Sequence, residues 1–185
     1  MFSSFRVHLW RRCLGIGTGR NGSALGRLPA DLIATAVDGD TARLAASLVV
    51  RRGLTVHLDL GTSVTRNGSG HTELAGDVRL LLPGSGCVAC VGGLADREET
   101  LYELLAPPNV LHRGRRLAWH QERAGSLVSL NAIAVGTAVQ TWLDLLDGRL
   151  RTSCWHRLRW APGEGLQTHS APVSAAEDCP FCRPG

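Results

Sequence analysis

The chain has no lysine: all twenty of its basic residues are arginine. That removes the amine nucleophile, the Schiff-base former and the ammonium point charge that many phosphate sites use. Aromatic residues are also scarce, with five Trp, three Phe and one Tyr in 185 residues. The arginine pairs Arg11-Arg12, Arg51-Arg52 and Arg115-Arg116 are scattered among carboxylates. The net charge of +4 therefore describes a mildly basic, solvated surface, without the basic, aromatic-studded face of a nucleic-acid binder. No stretch approaches the ~20 apolar residues of a membrane span. The N-terminus combines Arg6, Arg11 and Arg12 with only two short apolar runs, residues 7–10 and 13–16, a poor signal peptide. A cytoplasmic, reducing environment is expected, in which paired cysteines read as metal ligands and not as an extracellular disulfide framework.

What is present suits one domain or a little more. A hydrophobic share of 44% against 19% charged residues is ordinary for a globular chain, and the length suffices to bury a core. Residues 1–29 form an irregular Gly-rich segment, with Gly15, Gly17, Gly19, Gly22 and Gly26 ahead of Pro29. Order is expected over residues 30–185. The nearly all-apolar run Asp31-Leu-Ile-Ala-Thr-Ala-Val37 predicts a strand buried on both faces of a parallel sheet. Residues 38–41 are a turn, and Leu44, Ala45, Leu48 and Val49 then share one face of a helix that Arg51, Arg52 and Gly53 close. Residues 55–60 supply the next strand, completing a right-handed βαβ crossover.

Residues 61–76 are rich in Gly, Ser, Thr and Asn, with Asn67-Gly68 as a turn signal, and residues 77–82 return as a strand. A hairpin or antiparallel excursion is expected there. A short helix follows over 98–105 and a long one over 126–146, with Leu130, Ile133, Ala134, Val135, Ala138, Trp142, Leu145 and Leu146 at three-and-four spacing. Residues 151–160 read as an edge strand and 163–178 as an exposed linker. The expected fold is α/β: a partial Rossmann-like sheet with an antiparallel extension.

Cys87-Val-Ala-Cys90 and Cys179-Pro-Phe-Cys182 have the two-residue gap that brings both sulfurs of a pair to one tetrahedral ion. Four thiolates leave no open position, which describes a closed structural zinc site clamping the tail to the middle of the chain. Either motif alone would also suit a redox dithiol, but that chemistry belongs at a helix N-terminus. Cys13 and Cys154 read as plain thiols. Gly17-Thr-Gly-Arg-Asn-Gly22 matches the dinucleotide fingerprint literally, yet Gly26 and Pro29 interrupt the helix it should open, and chance accounts for it. Asp38 follows a buried strand and precedes a helix, where open α/β sheets place ligand-binding groups and where a carboxylate can hold Mg²⁺. Arg43, one turn on, is placed to meet a phosphate or a neighbouring loop. The alternative is that Asp38 or Asp40 caps the helix.

An ordered set of segments resembles the ThiF/MoeB/E1-like adenylyltransferases. Residues 31–43 are similar to the stretch in which a strand ends in an Asp-Asn pair and a helix arginine follows. His57-Leu-Asp-Leu-Gly-Thr62 looks like the next strand. Gly76-Asp-Val-Arg-Leu-Leu-Leu-Pro-Gly84, followed by Cys87-Val-Ala-Cys90-Val-Gly-Gly, resembles the family's segment ending in its first cysteine pair. Ser129-Leu-Asn-Ala and the closing Cys179-x-x-Cys182 complete a match over about residues 30–182. The resemblance implies ATP·Mg²⁺-dependent adenylation of the C-terminal Gly carboxylate of a ubiquitin-like or sulfur-carrier protein or peptide. It also implies Asp38 as the catalytic aspartate on Mg²⁺ and ATP, Arg43 as the helix arginine, the four cysteines on structural zinc, and a homodimer.

The chain departs from that pattern in four places. Only about 30 residues precede the match, where the family has its Gly-rich ATP loop, ribose acid and phosphate-binding basic residues. The lysine is absent, Gly39 replaces the Asn, and Trp119-His-Gln-Glu-Arg-Ala-Gly-Ser126 holds no thioester-forming cysteine. The expectation is an adenylyltransferase whose nucleotide half is missing from this chain, through truncation, a split gene or a misplaced start, with a partner chain as one source of it, or else a non-catalytic zinc-stabilised binding or assembly module of the same descent.

Overall fold

A computed structural model describes residues 7–10, 31–37, 39–66, 72–105, 127–161 and 163–182. Six strands, β1 (Val7–Trp10), β2 (Leu32–Ala36), β3 (Val56–Arg66), β4 (Thr72–Leu81), β5 (Cys154–Ala161) and β6 (Gly165–Pro172), form one sheet in sequence order. β1, β2 and β3 run parallel, and every later neighbour is antiparallel. Among the described residues the α-helices are α1 (Asp40–Gly53), α2 (Arg97–Leu105) and α3 (Val128–Leu146). The expected mixed α/β architecture with an antiparallel extension is therefore present. Among the described residues no helix is long and apolar enough to cross a membrane.

Several local expectations need correcting. The expected hairpin is present, but β3 runs past residue 60 and on through the polar residues 61–66, because β4 pairs with it from His57↔Leu81 to Arg66↔Thr72. Residues 165–172 are not a linker but β6, paired with β5 from Cys154↔Pro172 to Ala161↔Gly165. Most of β6 is exposed on both faces, as are Thr62 and Ser63 of β3, so these stretches lack the apolar alternation that marks a strand in sequence. β5 consequently lies inside the sheet and not at its edge. Within the Gly-rich N-terminal segment, Val7–Trp10 pair with β2; the fingerprint-like Gly17 to Gly22 lies outside the described residues, as does the Trp119 to Ser126 segment. The left-handed residue ending α1 is Leu54 (φ 50°), one position past the glycine that seemed to stop it.

α3 covers one face of the sheet. Ala134 and Ala138 let it approach Leu32, Leu58, Val78, Leu80 and Leu158, with Ile133, Trp142 and Leu145 filling the flanks. Burying a side chain of this size contributes roughly 1.5–3 kcal/mol, so this face holds most of the apolar core. Val135 and Leu146, which share the sequence periodicity, instead face outward at 52% and 41% exposure. α1 covers the opposite face, where Leu44 packs with Leu81, Val88 and Val173.

That second face also buries charge. Thr35, Asp59, Arg79 and Trp155 are consecutive cross-strand partners from β2 to β5. The Asp59 carboxylate is wholly buried and accepts from Thr35 Oγ1 (2.8 Å), Arg43 Nε (3.1 Å) and Arg79 (2.9 Å). Arg79 also pairs with Asp77 (3.2 Å), which accepts the Trp155 indole N–H (2.8 Å). Because the Thr35 hydroxyl donates to Asp59, it can only accept from His57, 2.9 Å away. His57 thus carries its proton on Nε2.

Burial lowers the His57 pKa from 6.5 to about 4; Asp59 opposes the shift, while Arg43 and Arg79 reinforce it. The neutral ring is the folded form, and the unfolded chain takes up the proton first as pH falls. The contribution of His57 is whole above pH 6.5 and is lost as pH drops toward about 4, a change of roughly 3 kcal/mol. Urea midpoints measured across that window should fall for the native sequence and fall less for His57→Gln. Parallel profiles would remove His57 from the acid response.

Candidate metal centre

Two turns deliver the four sulfurs. Cys87 precedes the 3₁₀ turn Val88–Val91, which Gly92 ends at φ 63°. The Cys90 N–H closes back on the Cys87 carbonyl at 2.9 Å. At the tail, the Cys182 N–H reaches the Cys179 carbonyl at 3.2 Å, repeating the arrangement. The two segments lie against each other so closely that a Cβ on Gly86 would sit 2.5 Å from the Ser174 carbonyl oxygen. Only glycine fits at that position.

The sulfur separations are 3.7 Å for Cys87–Cys90, 3.7 Å for Cys87–Cys179 and 3.5 Å for Cys90–Cys182. All four lie within 4.8 Å of one another. An ion held tetrahedrally by thiolates at ~2.3 Å requires edges of about 3.8 Å. The fit is close, and each separation is far beyond the ~2.05 Å of a disulfide. The four thiols are free, Cys87 and Cys179 buried and the other two half-buried. Four cysteines with these separations can hold one metal ion and are compatible with structural zinc.

The electrostatics point the same way. Burial, then repulsion from Cys90, pushes the Cys87 thiol up to about 11. Burial and the neighbouring thiols also push Cys182 upward. Burial opposes ionisation of Cys90 too, but hydrogen bonding, including the Ala176 N–H at 3.4 Å, brings it down to about 7. Without a cation the cluster retains protons, and a divalent ion would displace them, so metal uptake should strengthen with pH.

The other sequence candidates are distributed differently. Asp38 lies outside the described residues, between Val37 and Gly39, and Gly39 occupies the N-cap of α1. Asp40 sits within the first turn, and its carboxylate accepts the Ala95 N–H at 2.7 Å. Arg43 spends its donors on the surrounding chain: Nε on Asp59 (3.1 Å), one terminal nitrogen on Gly93 O (3.1 Å), the other on Val37 O (3.1 Å) and Leu60 O (3.5 Å). It fastens the end of β2 to the loop that follows the first cysteine pair. Sequence reasoning missed Asp59, Arg79 and His57, whose alternation along β3 and β4 resembled an ordinary polar face. It also assigned Arg51 and Arg97 no part in the site.

No protein-family model matches the sequence, and no curated protein matches it. Among solved structures, the chain is similar to E. coli MccB crystallised with selenomethionyl MccA, at a TM-score of 0.55 and 14% identity. The similarity covers 89% of this chain and 43% of that one, so the chain spans less than half the length of its structural neighbour. At this identity the likeness establishes the fold alone.

Replacing Cys182 by Ser removes one corner of the centre. Metal analysis after dialysis against a chelator should show loss of the single bound ion, with a lower melting temperature. Unchanged stoichiometry would exclude the four-sulfur centre.

Proposed function

We propose that this chain is the zinc-clamped part of a ThiF/MoeB/E1-like adenylyltransferase, activating the C-terminal Gly carboxylate of a ubiquitin-like or sulfur-carrier protein or peptide. The observation that carries the reading is the agreement of two independent features. The family-like segments occur in order along the chain, and the fold aligns over 89% of its length with MccB. A polypeptide partner is in keeping with that neighbour, since a selenomethionine label marks MccA as a polypeptide.

In this reaction the substrate carboxylate attacks the α-phosphorus of ATP, the acyl-adenylate bond forms and pyrophosphate leaves. The transition state concentrates negative charge, which Mg²⁺ and cationic groups offset. Asp38, which follows β2 in the sequence, is the proposed Mg²⁺/ATP aspartate. Arg43 lies near the start of α1, where its bond to Val37 O holds the chain that follows β2 in place. Zinc, in the Cys87, Cys90, Cys179 and Cys182 centre, is structural and takes no part in the chemistry.

The Gly-rich ATP loop and phosphate-binding lysine of the family are not found in these 185 residues, and the reading draws them from outside this sequence, in the same polypeptide or in a second chain. A homodimer is the other proposed association. The outward face of α3 carries Val128, Val135, Val139, Leu143 and Leu146 at 41–83% exposure, the kind of apolar surface that a partner covers. The second reading, a non-catalytic assembly module, draws on the absence of lysine together with that same face.

Melting curves of the zinc-loaded chain with millimolar ATP·Mg²⁺ separate the readings. A ligand at ~100 times its dissociation constant stabilises the folded state by ~2.7 kcal/mol. The catalytic reading expects a magnesium-dependent rise in melting temperature that Asp38→Ala abolishes while leaving the unliganded melt unchanged. A cooperative melt with no shift favours the assembly module, and a shift that survives in Asp38→Ala removes that residue from the site.

A further inference from the structure

Two arginines outside the sulfur cluster each bridge its two halves. Arg51, in the last turn of α1, donates to Ser85 O at 3.0 Å and to Cys182 Sγ at 3.3 Å. Ser85 lies just ahead of the first cysteine pair, and Cys182 closes the second. Arg97, which begins α2, donates to Ala89 O at 3.2 Å, between Cys87 and Cys90, and pairs with Asp178 at 3.4 Å, beside Cys179. The chain's middle and its tail are thus fastened together twice, from two different helices.

The two contacts differ chemically. Arg97 bonds a carbonyl and a carboxylate, so it positions segments. Arg51 bonds a sulfur. Four thiolates around a divalent ion carry a net charge of −2, and this centre is half-buried, where water screens that charge incompletely. A guanidinium on one sulfur offsets part of the charge and draws electron density from the ligand, as the Ala176 N–H does at Cys90. Arg51 is itself held by the Ser85 carbonyl and by its place at the negative end of α1, so little ordering remains when the metal binds.

We infer that Arg51 tunes the metal centre through its hydrogen bond to the Cys182 sulfur, and that Arg97 assembles the cysteine pairs without touching the metal's electronic environment. The inference rests on the metal reading of the four cysteines. It assigns α1 two duties some 12 Å apart along its axis, Arg43 at the strand end and Arg51 at the metal.

Cobalt titration of the full chain, with chelator competition, tests this directly. The wild-type chain should bind one Co²⁺ with a tetrahedral thiolate spectrum. Arg51→Ala should bind it ~10–100-fold more weakly and shift the sulfur-to-cobalt charge-transfer band. Arg51→Gln, which keeps most of the volume without the charge, should shift the band in the same direction. Arg97→Ala should weaken binding and leave the band where it was. Wild-type affinity and an unshifted band in both Arg51 variants would overturn the inference while leaving the metal reading intact. A wild-type chain that takes up no cobalt in thiolate coordination would overturn both.

Discussion

A carboxylate removed from water must be matched by charge and hydrogen bonds, or its burial costs several kcal/mol. Asp59 meets that demand with three donors from three different elements: Thr35 on β2, Arg43 on α1 and Arg79 on β4. Removing one partner of such a buried set typically costs 3–5 kcal/mol, because the remaining charges stay buried and unmatched. The arrangement therefore sets register as well as stability. Slipping β3 by one residue against β2 or β4 would turn Asp59 into the apolar layer beneath α3. The crossover, the hairpin and the seating of α1 are tied to a single side chain.

Arg43 carries that constraint beyond the sheet. Its bonds to Val37 O and Gly93 O connect the end of β2 with the loop that follows the first cysteine pair. At the other end of α1, Arg51 reaches the second pair. The sheet, the helix and the four-cysteine cluster are thus one mechanically connected unit, with arginine at its joints. In a chain without lysine this is physically apt, since the planar guanidinium can donate in several directions at once while an ammonium cannot hold that geometry. The tail supports the same unit. After β6 it returns to the α1 side, where Val173 and Phe181 pack with Leu44 and Leu81 and deliver Cys179 and Cys182.

The candidate site was unevenly legible. The spacing of Cys87, Cys90, Cys179 and Cys182 announced the centre because a two-residue gap has few other uses. Arg51 and Arg97 gave no such signal, since an arginine near a helix end has an ordinary explanation in the helix dipole. The buried row was hidden for another reason. His57, Asp59 and Arg79 alternate with leucine and valine as they would on a solvent-facing strand, and nothing local says that this face is buried.

The amino-acid sequence by itself determined the elements whose code is local: the apolar run of β2, the amphipathic α1, the length of α3 and the paired cysteines. Only the tertiary structure decided that residues 61–66 and 165–172 are strands, since their pairing energy comes from partners distant in sequence and not from their own side chains. It alone decided which polar face is buried and which apolar face of α3 is left exposed. Periodicity records that a segment has two faces; what lies against each of them is settled by packing.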